Sequence, residues 1–196
     1  MQLLLATQNK GKQKEWTVLL SSLPLSIVFP EDIGLHIDVE ETGETYQENA
    51  YLKAAAYAKA SGLPALADDS GLEVDALDSA PGVRSARYRL GSDKVRYRAL
   101  LAAMHNVPAA QRSARFRCVA TLAFPGGEHY STEGVCEGSI TLSPLGMQGF
   151  GYDPVFYVSA FQQTMAQLSQ DVKNQISHRA RAASKMHAVL VRVFSL

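Results

Sequence analysis

The sequence predicts an α/β (mixed α+β) domain, an elongated mixed β-sheet with flanking helices. Three observations carry this. Short apolar runs such as Leu3-Leu4-Leu5-Ala6 read as buried strands. Stretches with helical spacing or an Ala-rich composition alternate with those runs. A long extended stretch from Ala114 to Leu142, broken only by Pro125-Gly126-Gly127, interrupts a strict βαβ alternation with an antiparallel hairpin.

The elements follow in order. After the first strand comes the polar turn Thr7-Gln8-Asn9-Lys10-Gly11-Lys12, and then Glu15, Trp16, Val18, Leu19 and Leu20 repeat at helical spacing. A second strand is expected from Leu25 to Phe29, ended by Pro30. Thr45-Tyr46-Gln47-Glu48 is a capping box that opens an Ala-rich helix over Ala50 to Ala60, which Gly62-Leu63-Pro64 stops. Ala65-Leu66-Ala67 reads as a short strand that delivers Asp68-Asp69-Ser70-Gly71. A helix is expected over Asp93 to Met104. The hairpin strands run from Phe116 to Phe124 and from Tyr130 to Leu142. A strand at Pro154 to Val158 and one final helix at Asn174 to Phe194 complete the order.

Bulk composition narrows the function. The chain has 196 residues, 46% hydrophobic and 19% charged, enough to bury a core. That length fits a single domain over 1–196, with two closely joined lobes and no separable linker. Nineteen basic residues balance nineteen acidic ones, so no bulk attraction to nucleic acid or an anionic membrane is expected. The two cysteines, Cys118 and Cys136, lie far from any CxxC or His cluster. They suit buried small hydrophobes in a reducing cytoplasm rather than a disulfide or zinc site. No basic leader or long apolar run opens the sequence, so neither a signal peptide nor a membrane span is expected.

Several residue groups are candidates for chemistry. Asp68-Asp69 follows a short strand, and Gly71 is expected to bend the chain so that both carboxylates reach one site. Two carboxylates suit Mg²⁺, which completes its shell with water and phosphate oxygens; taken alone, the same four residues are equally an ordinary turn. Glu40-Glu41 offers a second acidic pair, or else complements a helix dipole. Thr7, Asn9 and Lys12 put a hydroxyl, an amide and an ammonium at the mouth of a helix, groups that suit a phosphate without the GxxxxGK[ST] of a P-loop, or else simply a capped helix with a lysine in its first turn. Asn49 and Lys53 share a helical face. Phe150-Gly151-Tyr152-Asp153-Pro154 places an aromatic ring and a carboxylate before a strand; base stacking on such a ring is worth roughly 1–3 kcal/mol, and taken alone the ring reads more readily as a core aromatic beside a turn. Lys173, Ser177, His178 and Arg179 cluster near the start of the last helix.

As a set these groups resemble the inosine triphosphate pyrophosphatase family. Thr7-x-Asn9-x-x-Lys12, Glu41-Thr42-Gly43-x-Thr45-Tyr46-x-Glu48-Asn49-Ala50-x-x-Lys53-Ala54, Ala67-Asp68-Asp69-Ser70-Gly71-Leu72, Pro81-Gly82-Val83-x-Ser85-Ala86-Arg87-Tyr88, Phe150-Gly151-Tyr152-Asp153-Pro154 and Ser177-His178-Arg179 occur in the family's order. The resemblance implies a cytoplasmic homodimer whose protomers have two lobes around a central substrate cleft. It implies Mg²⁺-dependent hydrolysis of ITP, dITP and XTP to monophosphate and pyrophosphate. It gives Thr7, Gln8, Asn9, Lys10, Gly11, Lys12 and Lys53 to the triphosphate, and Glu41, Asp69 and Asp68 to the metal. Asp69 is then the general base and Ser70 touches the substrate. Phe150, Gly151, Tyr152, Asp153, Lys173, His178 and Arg179 hold the purine.

Gln8 stands where the family pattern has Gly, so its φ and its bulk bear on close phosphate approach. Met147-Gln148 and Arg89-Leu90 also depart from the pattern but touch no carboxylate. Two rival readings fit less well. An aspartyl phosphomonoesterase would need carboxylates two apart after a strand, and a nucleotide sensor gives no reason for Glu41, Asp68 and Asp69 together.

Overall fold

In the computed structural model, which describes residues 1–196, eight strands form one mixed sheet in the order β2-β1-β3-β5-β6-β7-β8, with β4 paired to β3. The strands are β1 (Gln2–Leu5), β2 (Ser26–Val28), β3 (Ala65–Val74), β4 (Pro81–Gly82), β5 (Ser113–Ala123), β6 (His129–Ile140), β7 (Phe156–Val158) and β8 (Gln163–Thr164). The helices are α1 (Lys10–Leu19), α2 (Tyr46–Ser61), α3 (Asp93–Ala103), α4 (Gln170–Ile176) and α5 (His178–Phe194). The expected fold class is borne out. The chain divides into two units: residues 1–69, 118–134 and 178–196, and residues 70–117 and 135–177.

The first unit is built around β1, which pairs in parallel with β2 and β3. Both faces of β1 are covered, which is why its sequence is a continuous apolar run rather than an alternating one. Leu3 and Leu5 pack with Trp16 of α1, Leu20 just past its end, and Ala182, Met186 and Leu190 of α5. Leu4 and Ala6 pack with Ala54, Tyr57 and Ala58 of α2. Each fully buried leucine contributes about 2 kcal/mol. Gly134 lets α5 lie on β6, since a Cβ there would stand 2.1 Å from the carbonyl oxygen of His178. The capping box at Thr45 and Glu48 forms as the sequence requires.

The second unit has its own core, in which Leu72, Val74, Leu100, Met104, Phe116 and Phe156 meet. Buried Arg112 donates to the carbonyls of Met104 (2.8 Å), Ile140 (2.8 Å) and Thr141 (2.9 Å), tying the end of α3 to the end of β6.

Three expectations are corrected. The strand after Pro64 does not stop at Ala67. It runs ten residues, to Val74, so Asp68-Asp69-Ser70-Gly71 lies inside β3 and not in a turn. The final helix is two helices, because Ser177 takes an extended backbone (φ −66°, ψ 157°) between Ile176 and His178. Serine is a residue well suited to the position before a helix. The strand expected at Pro154 is shorter too, since Asp153–Val155 form a 3₁₀ turn and β7 begins at Phe156.

Candidate active site

Because β3 continues through the acidic pair, strict alternation sends its two carboxylates to opposite faces. Asp68 shares the face of Leu66, toward α1 and α5; Asp69 shares the face of Ala67, toward α2. The bend expected at Gly71 does not bring them together.

Asp68 is 3% exposed. Its Oδ2 receives Lys12 Nζ at 3.0 Å and Arg179 Nη2 at 3.2 Å, and its Oδ1 receives the indole Nε1 of Trp16 at 3.0 Å. Arg179 is clamped from its other side by Glu15 at 2.5 Å. Burial alone would raise the Asp68 carboxyl, but Lys12 and Arg179 outweigh it and hold the group well below the usual carboxylate range. Burial likewise opposes the charge on Arg179, and Asp68 and Glu15 restore it. Cys118 Sγ lies 3.6 Å from Asp68, and burial beside that carboxylate pushes its thiol up.

Asp69 is also buried, yet its balance is different. Asn49 Nδ2 donates to Oδ2 at 3.2 Å, and Lys53 Nζ stands 3.7 Å from Oδ1. Burial pushes its carboxyl up, and Lys53 and Lys12 only partly offset that while Glu41 adds to it. Lys53 reaches Glu41 at 2.6 Å. Burial lowers Lys53, but Asp69, Glu41 and Asp68 together raise it, so it stays cationic. Asn49 also binds the loop that carries Glu41, accepting from the Gly43 N–H at 2.8 Å.

The turn from Thr7 to Lys12 forms the start of α1. Asn9 is its N-cap, its Oδ1 taking the Lys12 N–H at 3.1 Å, and the Asn9 N–H donates to Thr7 Oγ1 at 3.2 Å. The first turn holds Lys10, Gly11 and Lys12 and no acid. Two cations at the positive end of a helix dipole are unfavourable until an anion joins them. Lys10 is exposed and meets Glu31 at 2.5 Å, a pair of little energetic weight. Gln8 needs no left-handed backbone, being absent from the residues with positive φ, and its amide lies 3.5 Å from the Tyr57 hydroxyl.

In the second unit, Lys173 Nζ and Asp153 Oδ2 form a buried ion pair at 2.5 Å. A Cβ on Gly149 (φ +81°) would stand 2.0 Å from that carboxylate and 2.5 Å from the ammonium, so only glycine passes there. The loop that follows is fixed by its backbone. The Phe150 N–H points to Asp153 at 3.4 Å, and the Gly151 N–H donates to Asp93 at 2.7 Å. Tyr152 is 4% exposed and its hydroxyl donates to the Ser85 carbonyl at 2.9 Å. The side chain of Phe150 is half-buried, as is Ser70 on β3.

The profile of the Ham1 family matches residues 3–189. The chain belongs to the Ham1 family. A protein named dITP/XTP pyrophosphatase from Geobacter sulfurreducens is 49% identical over 182 residues, covering 92% of each chain. Another of that name, from Desulforamulus reducens, is 46% identical over 196 residues, with 99% of this chain and 98% of the relative covered. The solved structure of a HAM1 protein from Coxiella burnetii superposes with a TM-score of 0.89 at 42% identity, covering 98% of this chain and 99% of that one. The resemblance read from the motifs is borne out.

Within this Ham1 chain, the structure gathers Lys12, Lys53, Glu41, Asp68, Asp69, His178 and Arg179 into the first unit, and Ser70, Phe150–Asp153 and Lys173 into the second. Three of the expected site residues have protein partners of their own. Asp68, expected on the metal, is bound by two cations and an indole. Arg179, expected on the purine, is buried as the partner of Asp68 and Glu15. Tyr152 spends its hydroxyl on Ser85, and burial pushes that phenol up. Four contributors escaped the sequence reading. Glu15 and Trp16 counted only as helix periodicity, Cys118 as a small hydrophobe, and Asp93 as a helix start. A polar group on the buried face of α1 was the available signal for Glu15.

No three His, Cys, Asp or Glu side chains converge into a ready-made metal cage. The hard oxygens of Glu41 and Asp69 do converge on one cation, the Lys53 ammonium, at 2.6 and 3.7 Å. Two carboxylates around a cationic position suit Mg²⁺, which keeps several waters and adds phosphate oxygens.

Proposed function

We propose that this chain hydrolyses the non-canonical purine nucleoside triphosphates ITP, dITP and XTP to the monophosphate and pyrophosphate. The observation that carries it is Asp69: a buried carboxyl raised by desolvation, aimed by Asn49 and set beside Lys53 and Glu41. Before a metal binds, burial raises its proton affinity, which suits a general base, whereas a bound cation would act in the opposite sense.

Asp69 takes a proton from a water molecule as its oxygen attacks the α-phosphorus. The bond from that phosphorus to the bridging oxygen breaks, and pyrophosphate departs. Lys12 and Lys53 stabilise its charge, so most of the catalysis is positioning and electrostatics. Glu41 and Asp69 would hold Mg²⁺, which when bound neutralises phosphate charge. Asp68 keeps Lys12 in place and is left out of the metal set.

Purine recognition falls to Phe150 by stacking and to the polar groups of Asp153, Lys173 and His178. Donors matched to a 6-oxo group are left unsatisfied by a 6-amino group, which selects against ATP. The family resemblance supports a homodimer working in the cytoplasm; no helix is long and apolar enough to cross a membrane. Light scattering at twice the mass of the 21.3 kDa chain is expected.

The test is a nucleotide panel with and without Mg²⁺, scored for pyrophosphate. ITP and XTP are expected to release pyrophosphate only with the metal. Orthophosphate as first product, or equal kcat/KM for ATP and ITP, would sink the reading.

A further inference from the structure

Trp16 is the single tryptophan of the chain. It is 1% exposed, among the apolar side chains between α1, α5 and the sheet. Packing explains its ring but not the partner of its N–H. A buried indole needs an acceptor, and a backbone carbonyl would satisfy it. Here Nε1 donates instead to a buried carboxylate, Asp68 Oδ1, at 3.0 Å.

That choice sorts the two oxygens of Asp68. Oδ2 takes Lys12 (3.0 Å) and Arg179 (3.2 Å), with Cys118 at 3.6 Å, while Oδ1 takes the indole. The torsion that orients an aspartate carboxylate is broad and nearly two-fold, so cations on one oxygen alone leave its plane loosely set. A donor on the other oxygen closes that freedom. We infer that Trp16 is a positioning residue of the phosphate end of the site: its indole N–H fixes the Asp68 carboxylate, and through it the ammonium of Lys12.

Lys12 and Trp16 lie one turn apart on α1, so one helix grips Asp68 with both side chains. Lys12 also donates to the carbonyl of Asp68 at 3.1 Å. A lysine stem is flexible, and ordering it costs conformational entropy. With the indole in place, much of that ordering precedes substrate. The inference rests on the proposed triphosphate hydrolysis and adds a residue to it. Its effect falls first on the phosphate end of the site, because its direct partners are Asp68 and, through it, Lys12, and Asp69 faces the other side of β3.

Since Trp16 is the only tryptophan, replacing it with 3-benzothienylalanine exchanges one N–H for sulfur and leaves the ring volume in place. Trp16→Phe is the genetically simpler companion. The readouts are kcat and KM for ITP with Mg²⁺, and the Kd for inorganic pyrophosphate by calorimetry. Both replacements are expected to raise KM and Kd about tenfold, the weight of a hydrogen bond to a charged group. kcat is expected to fall by less than KM rises, because Lys12 also stabilises the departing pyrophosphate. Unchanged KM and Kd in the benzothienylalanine protein would overturn the inference. So would a fall in kcat alone, or a loss of melting temperature with no change in KM. The pyrophosphate arm is independent of turnover: wild-type protein without ITP hydrolysis would overturn the proposed function and still judge Trp16.

Discussion

Asp68 and Asp69 are consecutive residues of β3 whose carboxylates serve opposite faces of the strand. Asp68 faces Trp16 of α1 and Arg179 of α5; Asp69 faces Asn49 and Lys53 of α2. Burial acts on both, but the ion pairs around Asp68 outweigh it and those around Asp69 do not. Sequence neighbours of one residue type thereby hold different chemistry, and their amide variants are expected to fail in different ways.

Asp69→Asn removes the proposed base while keeping shape and the Asn49 contact. Turnover of ITP is expected to fall by at least about a thousandfold, within the usual range for a lost general base. The thermal midpoint is expected to hold or rise, because an unfavourably desolvated carboxylate is gone. Pyrophosphate release and circular dichroism melting measure the two. A variant with more than a tenth of wild-type kcat would remove Asp69 from that role.

Asp68→Asn strands Arg179 and Lys12 beside a neutral amide. Breaking a buried pair by removing one partner costs about 3–5 kcal/mol. The urea midpoint is expected to drop accordingly with little change in m. A loss below about 1 kcal/mol, the range of a surface pair, would contradict the burial argument.

Asn49→Leu tests the link between the loop of Glu41 and the base. Asn49 accepts from the Gly43 N–H and donates to Asp69. Without it the two carboxylates lose their common tether, and the Mg²⁺ concentration for half-maximal activity is expected to rise about tenfold or more. A Mg²⁺ titration of ITP hydrolysis reads it, and an unchanged midpoint would refute the tether.

Tyr152→Phe separates a structural tyrosine from a substrate contact. Its hydroxyl is buried against the Ser85 carbonyl. Removing it is expected to cost about 1–2 kcal/mol of stability by leaving that carbonyl unpaired. kcat/KM for ITP is expected to stay within about threefold. A larger kinetic loss with little change in the melting temperature would return Tyr152 to the purine site.

Cys118 and Cys136 are both buried and form no disulfide. The Cys118 thiol is pushed up by burial and by Asp68, so little thiolate exists at neutral pH. A colorimetric thiol reagent is expected to label neither in the native protein within minutes and both in guanidinium chloride. Fast native labelling of one equivalent would contradict it.

The sequence by itself determined the fold class, most of the element order and the family. Apolar runs, capping residues and the Pro-Gly-Gly turn act through neighbours a few positions away, and motif order survives without coordinates. The family resemblance also singled out Asp69, Lys12, Lys53 and Glu41 as site candidates, although each motif taken alone reads equally well as a turn, a capped helix or a solvated charge. Only the tertiary structure decided that β3 continues past Ala67, since a strand's length depends on partners far away in the chain. That one extension placed Asp68 and Asp69 on opposite faces. The pairing of Arg179 with Asp68 and Glu15 was decided the same way: residues 111 positions apart meet only when α5 packs on the sheet. A buried charge is assigned by what surrounds it, and those surroundings come from three separate stretches of chain.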